Sequence, residues 1–154
     1  MKTFATLLML SFGIMTSYAQ ETLKLSLKKG SDEPTTSVEH FYLVEITNTS
    51  KKATTATLTV QNNSCKDDKS MKNTNVNTPS MRQSVLNISK DKPLNQVTVQ
   101  PGKTIEFYLK LTREQSAQLN TWNCNKIVAL SNDGKTISNE LNIETFIPNP
   151  KDFN

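Results

Sequence analysis

Between Thr104 and Leu111 the chain alternates without a break: Ile105, Phe107, Leu109 and Leu111 fall on one side, and Glu106, Tyr108 and Lys110 on the other. Apolar residues at every second position set one face of an extended chain against a core and leave the other in water, a period that a helix cannot satisfy. The pattern recurs in short runs. Leu23, Leu25 and Leu27 alternate with Lys24, Ser26 and Lys28, while Ala56, Leu58 and Val60 alternate with Thr55, Thr57 and Thr59. From His40 to Thr47 one face carries Tyr42, Val44 and Ile46 and the other Phe41 and Leu43, as in a more central strand. Ser84 to Ile88 and Asn95 to Val99 read as short strands near an edge, and Trp122 to Leu130 and Thr136 to Thr145 as the last two, the former carrying Cys124 into the interior.

Turn chemistry separates these runs. Gly30 to Pro34 interrupts the chain, Asn48 to Lys52 is a polar turn, Pro101-Gly102 reverses direction, and Asn132-Asp133-Gly134-Lys135 is a hairpin signal. Thr112 with Gln115 three residues later has the capping-box pattern, which predicts one or two turns of helix over Arg113 to Leu119 as the chain crosses between sheets. Seven or eight short strands without regular βα alternation predict an all-β fold, a two-sheet antiparallel sandwich with one short helical turn.

The run Tyr42-Leu43-Val44-Glu45-Ile46-Thr47-Asn48-Thr49-Ser50, the Thr-rich strand after it, and Val99-Gln100-Pro101-Gly102-Lys103-Thr104 with its alternating strand together resemble bacterial immunoglobulin-like and fibronectin type III-like domains. In those domains a V-x-N-x-(S/G) turn follows the second strand and a P-G turn precedes the strand leading to the crossover. The resemblance spans most of the chain after its first segment and rests on short motifs, so it speaks to fold class. It implies a module that presents loops from a rigid sandwich. One feature departs from the antibody-type pattern: Cys65 follows the third predicted strand and Trp122 stands two residues before Cys124.

The first residues read as a secretory signal, with Lys2 as the charged region, Phe4 to Met15 as the apolar stretch and Ser17-Tyr18-Ala19 as the cleavage site. Residues 1–19 are thus expected to be removed, leaving one domain over 20–154 that is secreted or periplasmic and does not insert in a membrane. A transmembrane helix needs about 20 apolar residues, and Thr6, Ser11, Gly13 and Thr16 interrupt this run. In an oxidising compartment the two cysteines, Cys65 and Cys124, are expected to form a disulfide. The polar stretch from Gln61 to Arg82 begins near that cysteine, and reads as a loosely ordered excursion pinned by the bridge, with a binding loop as the alternative.

The formal charge of +4 is mild, and the lysines are spread among acids, Thr and Asn, so nucleic-acid binding is not expected. Acid and base chemistry usually needs a histidine or paired carboxylates in a pocket. The single histidine, His40, follows Glu39 at a strand start and reads as an exposed strand-edge residue. Asp67-Asp68 is flanked by Lys66 and Lys69, which would repel a calcium ion. No Gly-x-Ser-x-Gly and no phosphate-cradling glycine loop occurs. The expectations are no catalytic residue, no metal and no cofactor. A module that engages another protein or a cell-surface assembly is the leading expectation. The alternative is a carbohydrate-binding module in which Tyr42, Tyr108 or Trp122 stacks on sugar rings, although Trp122 beside Cys124 also suits packing over the disulfide.

Overall fold

The computed structural model describes residues 21–28, 38–65, 81–149 and 151. The expected signal segment, the Gly30 to Pro34 break and residues 66–80 of the expected loop, Asp67-Asp68 included, lie outside the described residues.

Among the described residues eight strands follow one another: β1 (Leu23–Leu27), β2 (Glu39–Asn48), β3 (Thr54–Asn63), β4 (Met81–Leu86), β5 (Gln96–Val99), β6 (Thr104–Arg113), β7 (Thr121–Leu130) and β8 (Leu141–Ile147). They form two four-stranded sheets, ordered β1-β2-β6-β4 and β5-β3-β7-β8. Every strand pair is antiparallel. The sandwich expected from the alternation is the observed architecture. β4 and β5, which read as near-edge strands, are edges of opposite sheets.

The alternating residues meet between the layers. Leu23, Leu25, Val44, Ile46, Phe107, Leu109 and Leu111 from the first sheet pack with Ala56, Leu58, Val97, Val99, Ile127, Ala129, Ile143 and Ile147 from the second. Each Val, Leu, Ile or Phe side chain among them contributes roughly 1.5–3 kcal/mol by leaving water, and that burial is what holds the two layers face to face.

The turns are as specific as the strands. Pro101 and Gly102 are the central residues of a turn closed by Lys103 N–H donating to Gln100 O at 3.0 Å, and Gly102 has φ of 65°. A left-handed residue in the third position is the reason glycine stands there. Asn48 ends β2 fully buried. Its Nδ2 donates to Lys52 O at 2.7 Å and to Val99 O at 2.8 Å, and its Oδ1 accepts from Ser50 N–H at 2.9 Å. Val99 belongs to the other sheet, so one amide shapes the β2–β3 turn and ties the layers together.

The hairpin at 131–135 closes through Gly134 N–H to Ser131 O and Ser131 N–H to Lys135 O, with Gly134 at φ of 80°. The Ser131 hydroxyl, and after it the Lys135 ammonium, hold the Asp133 carboxyl down at about 2, against an ordinary value of 3.8. A depressed carboxyl favours the folded turn while it is ionised, so the contribution is complete above pH 3.8 and is lost as pH falls toward about 2. Carboxyl NMR titration should place the Asp133 midpoint near 2, and Ser131→Ala should move it upward; a midpoint at the ordinary value in the unmodified chain would count against this turn geometry.

Four expectations are corrected. Arg113 to Leu119 is not a helix: Thr112 pairs with Glu39 and Arg82, Arg113 continues β6, and the rest is one turn with Ala117 N–H on Glu114 O at 3.0 Å. Sheet pairing on both sides of Thr112 takes the residue that the helix cap required. His40 is not an exposed edge residue; it is 5% exposed on a strand flanked by β1 and β6, and shares the inward face with Tyr42, Val44 and Ile46. The final strand does not run unbroken from Thr136. Thr136 bridges Leu130, Ser138 bridges Leu23 of the other sheet, and β8 begins only at Leu141. Finally, β3 continues to Asn63 and β4 starts at Met81, so both ends of the long polar segment belong to the sheets.

Candidate functional site

The disulfide between Cys65 and Cys124 is present, with Cα atoms 5.2 Å apart. It joins the chain just beyond β3 to the neighbouring strand β7, so it closes one sheet laterally instead of linking the two layers. Asn123, Asn125, Ile127 and Ala129 are the inward residues of β7, which puts Cys124 on the outward side, buried but outside the main core. Cys124 is buried, as expected of the interior, but on the outer face of its sheet, while Asn123 and Asn125 of the same strand face the core.

Trp122 lies on that same outward side. Its ring packs on Phe146 of β8, with centroids 5.3 Å apart and planes tilted by 52°. Cys65 Sγ sits 3.7 Å from the Trp122 carbonyl oxygen, so the aromatic pair and the bridge are adjacent.

Three of the four exposed large apolar residues among those described, Val38, Leu119 and Phe146, gather at the end of the sandwich where β2 and β7 begin and β8 finishes. Val38 and Leu119 line one hollow of about 290 Å³ together with Arg113, Glu114, Gln115 and Ala117. Backbone bonds fix this end: Arg113 N–H donates to Val38 O at 2.8 Å, and Asn120 N–H to Ile147 O at 2.7 Å. The fourth exposed residue, Ile88, belongs to the β4–β5 connection.

The three aromatics expected to stack on sugars do not share a surface. Tyr42 is buried, its hydroxyl 2.7 Å from Thr145 Oγ1 of the facing sheet. Tyr108 lies on the outer face of the first sheet, edge-on to Phe41 at 6.2 Å, with the Lys90 ammonium 4.3 Å from its ring centre. Trp122 is on the opposite outer face. Tyr42→Phe should lower stability by about 1 kcal/mol, because it removes one buried hydrogen bond without opening a cavity. An unchanged denaturation midpoint would argue against that contact.

Among the described residues no group of three or more His, Cys, Asp and Glu side chains converges. What the sequence reading missed is a polar interior near the same end. Asn62, Gln83, Asn123, Asn125 and Thr145 all face inward there. Gln83 Nε2 contacts both Asn62 Oδ1 and Asn125 Oδ1, bridging the two sheets. The parity of Asn123 and Asn125 with Ile127 and Ala129 was the available signal.

No protein-family model matches the chain, and no curated protein does. Among solved structures, the chain is similar to one titled "Crystal structure of FixG-related protein from Vibrio parahaemolyticus", with TM-score 0.50 and 10% sequence identity, covering 81% of this chain and 94% of that one. At that identity the likeness shows the fold alone.

Proposed function

We propose that this chain is an exported, non-catalytic module of immunoglobulin-like or fibronectin type III-like kind that mediates a protein–protein or cell-surface interaction. Support for the kinship comes from strand order. With β5 set aside, the sheets run first-second-fifth-fourth and third-sixth-seventh, the arrangement of constant-type immunoglobulin domains. β5 departs from it by reaching the edge of β3 only after β4 has joined the other sheet. Export is supported by the signal-like first 19 residues and by a disulfide, which persists in oxidising compartments.

The observation that carries the binding reading is the gathering of Val38, Leu119 and the Phe146–Trp122 pair at one end. Single exposed apolar residues are ordinary, but a cluster beside a rigidly fixed backbone suits a contact surface. The test is capture of a binding partner from the exported fraction by the immobilised chain, compared with Val38→Asp/Leu119→Asp and with Ile88→Asp as the control. The double variant should lose the partner and the control should keep it. Equal capture by all three, or none by the unmodified chain, would sink the reading.

A carbohydrate-binding role keeps one supporting observation, the Trp122–Phe146 pair on an outer face. It requires a glycan-array signal that Trp122→Ala abolishes.

A further inference from the structure

The interior at this end is polar on both sides of the gap. Across the first sheet, His40, Leu111 and Gln83 are paired in one row; across the second, Asn62, Asn125 and Ile143 form one row, and Asn123 and Thr145 the next. Asn125 is 0% and Asn123 4% exposed, and among the described residues the Nδ2 atoms of both have no hydrogen-bond partner. Two orphaned amide donors in a protein interior carry a desolvation penalty that folded chains rarely retain without something to meet it.

Gln83 connects this region to the outside. It also walls a cleft of about 330 Å³, with Val60, Val85, Leu86 and Pro93 among the other lining residues. The cleft lies on the open side of the sandwich, where β4 is an edge and β5 covers β3 only over Thr54 to Thr57. One side chain thus stands between a solvent-facing opening and the buried amides.

We propose that this polar interior is a binding site for a small neutral ligand presenting hydroxyl oxygen, either water or a sugar hydroxyl, held by Asn123 and Asn125 and admitted past Gln83. Neutrality follows from the side chains: the amides of Asn62, Gln83, Asn123 and Asn125 and the hydroxyl of Thr145 carry no charge. His40, the titratable side chain in these rows, stands on the far side of Leu111 from Gln83, so an ion would shed its hydration without a countercharge beside it. A hydroxyl follows from the amide geometry. Turning the amides of Asn62, Gln83 and Asn125 over together preserves their contacts and presents the Asn125 oxygen in place of its nitrogen, while Asn123 still offers a donor. A group that both donates and accepts meets either arrangement. The site is independent of whatever engages the outer apolar cluster.

The test follows the side-chain NH₂ signals of Asn123 and Asn125 in the ¹⁵N-labelled chain, assigned through Asn123→Ser and Asn125→Ser. Cross-peaks to long-lived water that persist when glucose, galactose or N-acetylglucosamine is added at millimolar concentration assign the site to water. A saturable shift of the same signals with one of those sugars assigns it to a sugar. In either case Gln83→Ala should speed exchange of the occupant roughly tenfold, the effect of removing one hydrogen-bonded barrier to entry. Absence of both water cross-peaks and sugar shifts in the unmodified chain overturns the site whether or not any variant folds. Exchange unaffected by Gln83→Ala overturns the route of entry.

Discussion

Replacing Cys65 and Cys124 together by alanine is expected to lower stability by about 4 kcal/mol, the value the chain-entropy relation gives for a bridge with a sequence separation of 59. The effect resides chiefly in the unfolded chain, which gains freedom when the loop is opened. The native sheets should change little, because β3 and β7 remain paired from Thr57 to Asn63 without the sulfur link. Urea denaturation of the double variant, with circular dichroism as the probe, should therefore show an unaltered native spectrum and a much lower midpoint. An unchanged midpoint would mean that the bridge constrains nothing the unfolded chain explores.

Asn48→Ala should cost about 3 kcal/mol, close to the disulfide in size and different in origin. The substitution leaves Lys52 O, Val99 O and Ser50 N–H without the partner that Asn48 supplies to each, and a buried polar group without its partner costs about 1–3 kcal/mol. Asn48→Asp separates hydrogen bonding from size. It keeps an acceptor for Ser50 N–H but turns a carboxylate oxygen toward two carbonyl oxygens, so it should be at least as destabilising as alanine. If Asp were tolerated, the tie to Val99 would not be what stabilises this end of the sandwich.

Much of the fold was legible because strand periodicity is a local property. The alternation from Thr104 to Leu111 names the buried residues of β6 without knowledge of its neighbours, and Pro101-Gly102 and Asp133-Gly134 mark turns by their backbone demands. The same logic, followed one step further, would have placed His40 inside, since it shares parity with Tyr42 and Val44. It would also have set Cys124 on the outer face of its sheet, because Asn123 and Asn125 fall in step with Ile127. Residue type overrode register at His40. The helix over Arg113 to Leu119 failed for a different reason. A capping pattern is weighed against ladder pairing by partners distant in sequence, here Glu39 and Arg82.

The candidate site was hardly legible at all. Its members come together from parts of the chain far apart in sequence: Gln83 contacts Asn62 and Asn125, Trp122 packs on Phe146, and Val38 and Leu119 line one hollow. Parity turns Asn123 and Asn125 inward, but spacing does not state which side chain of the facing sheet each will meet. Composition signalled a chain rich in small polar residues without indicating that some of them line the interior.

The lateral position of the sulfur bridge has a mechanical side. A force applied through the two ends of the sandwich would act first on β1 and β8, both edge strands. While oxidised, the segment from Cys65 to Cys124 stays closed under load, so its 59-residue span adds nothing to the stretched length. Once reduced, the same molecule can lengthen by roughly 200 Å more, at about 3.3–3.6 Å for each residue released. Redox state thus sets how far the chain can extend while leaving the two layers free to part.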